Sequence, residues 1–343
     1  MLASGMIRRA CSLAAQRRQS VAWGVSPSRR GILQTAVAAA GGLFLAGSPA
    51  AADDADLADP ATGPIDAHVH VWTPDTVRYP LAAGFHRDEM KPPSFTPEEL
   101  FDHARPRGVA RVVLIQMSFY GFDNSYMLDT IGRFPGVFSG VAVIDDNQAD
   151  PAAEMRALAQ RGVRGFRISP RNRQVDHWLD GPGMRAMWRR GAEDHLAMCH
   201  LVNPDALAAI DRACRKFPDT PVVIDHFARI GAAGRIGDAE VEALCKLAKH
   251  RRTYVKVSAF YALGKKQAPY LDLAPMLRKL LDAYGPERLM WASDCPFQVQ
   301  QGHTYQDSIA LVRDRLDFLS GGDKEWLLRK TAETVFFNEP LPG

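Results

Sequence analysis

Cysteine is scarce. The 343 residues hold five, none in Cys-x-x-Cys spacing, which excludes a disulfide scaffold and a cysteine-rich zinc module. The four beyond the N-terminal segment, Cys199, Cys214, Cys245 and Cys295, read as mostly buried free thiols, with one bridge left open by an oxidising compartment. No acidic residue precedes Asp53, and the apolar stretch from Thr35 to Ala46 is short and rich in Gly and Ala. A membrane-spanning helix needs about 20 apolar residues, so this stretch is too short to serve as one. There is no internal repeat and no Gly-rich turn after the first β-like run, which argues against an open nucleotide-binding sheet.

The first fifty-odd residues carry Arg8, Arg9, Arg17, Arg18, Arg29 and Arg30 against no acid, which is the composition of a targeting segment. Ser28-Arg29-Arg30-Gly31-Ile32-Leu33 resembles a twin-arginine signal, and Ala50-Ala51-Ala52 offers a small-residue cleavage site. The expectation is removal of residues 1–52, export to the periplasm, and a mature form without a membrane span. Cleavage leaves 36 Lys and Arg against 39 Asp and Glu, so the formal charge of +3 becomes −3. The basic balance therefore belongs to the signal and gives no support to nucleic-acid binding. Residues 53–63, polar and acidic, read as a linker, and residues 64–338 as the folded domain.

Within that domain, eight short apolar and β-branched runs recur: residues 65–72, 111–117, 138–144, 163–168, 196–202, 221–225, 253–257 and 289–292. The intervals between them leave room for a helix and two loops each. Helical spacing of apolar residues is evident over 151–161, 205–217 and 238–250. Near-continuous apolar strands alternating with helices imply a parallel sheet covered on both faces, and eight such units predict a (β/α)8 TIM barrel. The proline-rich stretch from Thr73 to Pro97 is long for a connection and is expected to cover the pocket.

Asp66, His68 and His70 are two apart on the first strand, so an ideal pleat points all three into the barrel. Two neutral imidazoles at that spacing can share one ion, although paired core histidines would show the same pattern. His226 ends strand six. Asp294 ends strand eight in Trp291-Ala292-Ser293-Asp294-Cys295-Pro296. A carboxylate there can take a proton from water, and the alternative is a turn-capping aspartate. These groups converge only if the barrel closes.

Ile65-Asp66-Ala67-His68-Val69-His70, Asp225-His226 and Trp291-Ala292-Ser293-Asp294-Cys295-Pro296 resemble the amidohydrolase-related branch of the amidohydrolase superfamily, over about residues 64–338. Members are (β/α)8 barrels that hydrolyse lactones or decarboxylate aromatic and related acids. The resemblance implies that His68 and His70 are metal ligands or, in metal-free members, substrate contacts. It makes Asp294 a ligand or the base for water, and His226 a group that binds or polarises the substrate. Strand four offers Arg167 and Ser169 where binuclear members carry a lysine, which argues against two metals. Strand five supplies His200 as a further candidate ligand, with Asn203 nearer the strand end. The cofactor expected is one divalent ion, zinc or similar, with metal-independence as the alternative.

Arg167 could pair with a substrate carboxylate, and Arg171 and Arg173 are weaker candidates for that contact. Lys256 and Ser258 on strand seven would face inward, with Asp294 as a partner for the buried lysine. Tyr261, His303, Tyr305 and Gln298 are candidate pocket walls. The leading expectation is hydrolysis of a lactone or similar ester in a small acidic substrate. Metal-dependent decarboxylation is the rival, and a non-catalytic small-acid-binding barrel is a third reading. Assembly as a homo-oligomer is left open.

Overall fold

A computed structural model describes residues 62–170 and 173–337. The expected signal 1–52, most of the linker, Arg171 and residue 338 lie outside them. Eight strands follow one another in chain order: β1 (Ile65–Val69), β2 (Arg111–Ile115), β3 (Phe138–Ala142), β4 (Val163–Ile168), β5 (Ala197–His200), β6 (Val222–Ile224), β7 (Thr253–Val257) and β8 (Leu289–Trp291). Each pairs in parallel with the next. The ring closes just beyond β8. His70 N donates to Cys295 O at 2.8 Å, Asp294 N donates to His68 O at 2.9 Å, and Val69 bridges Cys295.

One helix links each strand to the next: α1 (Pro97–Ala104), α2 (Ser125–Arg133), α3 (Pro151–Ala159), α4 (Pro182–Glu193), α5 (Leu207–Lys216), α6 (Asp238–Lys246) and α7 (Ala274–Tyr284). After β8 come α8 (Tyr305–Ala310), α9 (Gly321–Glu325) and α10 (Thr331–Phe336). All eight apolar runs in the sequence therefore contain a strand. The helices begin where capping chemistry puts them: Asp150 accepts from Ala153 N, and Pro151 occupies the first turn, where its missing N–H costs nothing. No helix among the described residues is long and apolar enough to cross a membrane. The four cysteines are free thiols, and Cys199, Cys214 and Cys295 are buried.

Alternation along the strands sorts the core into two compartments. Ile65, Ala67, Val113, Ile115, Val141, Ala197, Cys199 and Val223 meet inside the barrel, joined by Val335 and Phe336 of α10. Val112, Leu114, Phe166, Met198, Ile224 and Val255 pack outward against the helices. Burying the apolar faces of a strand on both sides stabilises at about 25 cal/mol per Å2, which is why these strands read as unbroken apolar runs.

β1 departs from simple alternation. Asp66 and Val69 stand opposite Val112 and Leu114, so three steps on β1 match two on β2. This bulge turns the bulged strand, and bulges of this kind re-aim side chains beside active sites. Ala67 joins the interior cluster, and His68 reaches interior groups just beyond β6 and on β7. Asp66 instead points outward, accepting from Tyr305 Oη at 2.7 Å and from Ser293 N at 2.8 Å. The expectation that Asp66 shares a face with the two histidines fails for this reason.

The stretch after β1 is stitched to the loops at the strand ends. Trp72 and Phe95 exchange backbone hydrogen bonds, Trp72 Nε1 donates to Pro92 O, and Ala82 N donates to Phe119 O. Phe297, beyond β8, packs against both His70 and Trp72.

Candidate active site

The C-terminal strand ends bring His68, His70, His226 and Asp294 together, as the sequence predicts. Asp294 Oδ1 lies 3.5 Å from His68 Nε2, 3.5 Å from His70 Nε2 and 3.9 Å from His226 Nε2. Its other oxygen accepts from Tyr261 Oη at 2.7 Å. Burial pushes the Asp294 carboxyl up, but the surrounding imidazoles, His226 first and then His70 and His68, outweigh it and hold the group below the usual carboxylate range. Asp294 is thus a carboxylate at neutral pH. Burial and the charge of Asp294 raise the Tyr261 phenol well above its ordinary value, so Tyr261 remains a donor.

The backbone here is held in an unusual region. Asp294 has φ 65° and His226 φ 52°, both left-handed, a conformation that costs about 1–3 kcal/mol for residues with a Cβ and clusters at functional sites.

Each imidazole is oriented by its second nitrogen. His70 Nδ1 lies 2.9 Å from Ile115 O, and since a carbonyl only accepts, Nδ1 carries the proton and Nε2 turns a lone pair towards Asp294. His226 Nδ1 is 2.8 Å from Ser258 Oγ. Burial lowers His226 to about 4, so its ring is neutral at pH 7. His68 is fully buried, and burial first, then the positive charge of Lys256, lowers it well below the ordinary histidine value. Its Nε2 has no hydrogen bond of its own.

Lys256 faces inward as expected, but Asp294 is not its partner. Lys256 Nζ is 3.1 Å from Asp225 Oδ1 and 3.1 Å from His68 Nδ1, with all three residues fully buried. Burial pushes the Asp225 carboxyl up, yet Lys256, His68 and Arg167 hold it well below its ordinary value. Arg167 Nε sits 3.9 Å from Asp225 Oδ2 and makes no hydrogen bond. The sequence reading assigned Asp225 no role. Its signal was the unpaired inward lysine, which required a buried carboxylate within reach.

His200 as a fourth ligand is corrected by the register of β5. Ala197 and Cys199 face the interior, so Met198 and His200 face the helical layer. The His200 ring lies 5.6 Å from both Trp178 and Trp188, and neither of its nitrogens is hydrogen-bonded. Among the described residues, His68, His70 and Asp294 form the group that could hold a metal, each offering a ligand atom within 4.8 Å of the others. The donor set fits a divalent ion. Two neutral imidazole nitrogens and a carboxylate match zinc-type ligation, and the buried His68 Nε2 lacks a partner.

The peripheral candidates divide. His303 Nδ1 bonds Tyr270 Oη at 2.8 Å, and its ring lies 6.1 Å from that of Tyr261, beside the site. Gln298 Nε2 also donates to Tyr270 Oη. Tyr305 is drawn to Asp66 in the outer layer, and Arg173 is paired with Asp146 at 2.6 Å. Arg229, beyond His226, was not anticipated. Burial, and then Arg167 nearby, lowers it from the ordinary arginine value.

Comparison with known proteins finds relatives along the whole barrel. The model of the amidohydrolase family matches residues 65–337. An L-fucono-1,5-lactonase of Burkholderia ambifaria is 29% identical over 248 residues, covering 70% of this chain and 82% of that protein. A 4-sulfomuconolactone hydrolase of Rhizobium radiobacter is 29% identical over 238 residues, covering 68% of this chain and 76% of its own. The crystal structure of a Burkholderia multivorans amidohydrolase with bound zinc superposes with a TM-score of 0.65 at 22% identity, covering 80% of this chain and 99% of that one, a likeness of fold. With the match running from the first residue of β1 to the end of α10, the chain belongs to the amidohydrolase family.

Proposed function

We propose that the protein hydrolyses a lactone or similar ester in a small acidic substrate. The observation that carries this is an ionised Asp294 facing three imidazoles at the barrel mouth, with its second oxygen held by Tyr261. The lactonase and lactone hydrolase among its relatives support the same reading.

Asp294 takes a proton from water as the water oxygen bonds to the lactone carbonyl carbon. The ring C–O bond then breaks, the proton passes to the departing oxygen, and a hydroxy acid leaves. His226, oriented by the 2.8 Å contact of its Nδ1 with Ser258 Oγ, turns Nε2 to the reacting carbonyl and, in the tautomer protonated there, holds the carbonyl oxygen as negative charge develops. Arg167, inward and without a hydrogen bond at Nε, pairs with a substrate carboxylate away from the reacting bond. His68, His70 and Asp294 would hold a divalent ion, which supplies Lewis acidity to the carbonyl and to water when bound.

The test is turnover of a lactone panel, with aromatic acids as controls, by wild type and Asp294→Asn. Loss of a positioned general base should lower kcat by about 100- to 10,000-fold while substrate still binds. Comparable turnover by the variant, or carbon dioxide release from the acids with no lactone opened, would overturn the proposal.

A further inference from the structure

Beneath the site lies a buried trio that the hydrolytic chemistry does not use directly: Lys256, Asp225 and the Nδ1 side of His68. We propose that Lys256 is a positioning residue that fixes the tautomer of His68 and thereby sets the site's appetite for a metal ion. The inference rests on the placement of His68 against Asp294 used above, but not on the identity of the substrate.

An ammonium group has only protons to offer, so the 3.1 Å contact from Lys256 Nζ makes His68 Nδ1 the acceptor. The neutral ring then keeps its one proton on Nε2, the nitrogen 3.5 Å from Asp294 Oδ1 and without a hydrogen bond. His70 has the opposite polarity, because Ile115 O demands the proton on Nδ1. The two histidines of one motif are therefore a donor and an acceptor facing the same carboxylate.

A metal needs the lone pair of Nε2, so binding at His68 requires the proton to move to Nδ1 and Lys256 to give up its contact. Asp225 Oδ1 stands 3.5 Å from Nδ1, ready to accept that proton in the arrangement that supports metal-bound histidines. Lys256 itself is held from two other sides, by Asp225 at 3.1 Å and by the Phe336 ring, whose centroid is 5.3 Å from Nζ. The site is thus built to present His68 as a hydrogen-bond donor until an ion outcompetes the lysine.

The experiment is long-range 1H–15N correlation of the imidazoles in chelator-treated, ring-15N-histidine protein, with His68 assigned from the His68→Gln spectrum. Zinc affinity is then measured by competition with a chromophoric chelator. Wild type should show His68 protonated on Nε2. Lys256→Met should move the proton to Nδ1 and tighten zinc by about tenfold or more, the scale on which groups behind a ligand act. Removing the lysine strands a buried carboxylate, so Lys256→Met/Asp225→Asn serves if the single variant does not fold, and with no ammonium to displace it should still bind zinc more tightly than the wild type. His68 protonated on Nδ1 in the wild type overturns the proposal, as does an unchanged tautomer in folded Lys256→Met or an unchanged zinc affinity in either folded variant. The spectrum needs no substrate, so failure to find a lactone leaves this test intact.

Discussion

Replacing His200 with Phe tests the register of β5 directly. The ring lies between Trp178 and Trp188 with both nitrogens unbonded, so a phenyl ring of similar shape forfeits no hydrogen bond. Burial lowers His200 from 6.5 to about 3. Between those values the unfolded chain binds a proton that the folded chain refuses, so stability present at neutral pH is lost as pH falls from 6.5. With about 1.4 kcal/mol for each pH unit below 6.5, His200 costs about 2 kcal/mol at pH 5 and almost nothing at pH 7. Any misfit of the phenyl ring is the same at both pH values. Urea unfolding of wild type and His200→Phe at pH 7 and pH 5 should therefore show the variant losing about 2 kcal/mol less over that interval. Zinc binding and turnover should be unchanged. An equal loss in both proteins would refute the account of His200 as a neutral buried ring, and a variant that no longer binds zinc would make it the ligand that the sequence suggested.

Two further outcomes follow from the same geometry. Tyr261→Phe removes a charge-assisted hydrogen bond to Asp294 Oδ2, worth about 1.5–3 kcal/mol, and should lower kcat by about 10- to 100-fold with little change in KM; a change confined to KM would place Tyr261 against the substrate instead. Arg167→Gln should raise KM for a carboxylate-bearing lactone by about tenfold or more and leave an uncharged lactone untouched; steady-state kinetics on the two substrates would show an equal effect on both if Arg167 acts only through Asp225.

The barrel was legible because its strands are buried on both faces and spaced by helices, a pattern that leaves few alternatives. His68, His70, His226 and Asp294 were legible because each sits at or just beyond the C-terminal end of a strand, and closure of the ring carries such positions to one mouth. The failures share a cause. Asp66 was placed by ideal alternation, which the bulge at β1 breaks. His200 was placed by its proximity to a strand end, although Ala197 and Cys199 set the opposite parity for β5. Lys256 was given Asp294 as a partner when Asp225, next to His226, was the nearer carboxylate. A side chain's direction depends on local register, and a shift of one residue reverses it.

The joint between β1 and β8 has a consequence for synthesis. Asp66 is secured by Ser293 and Tyr305, and Phe336 of α10 seals the interior below Lys256. On a ribosome the first histidines emerge more than two hundred residues before the carboxylate they face. They remain without their counterpart until β8 and the residues just beyond it have been made, so a chain terminated before Asp294 has no active site.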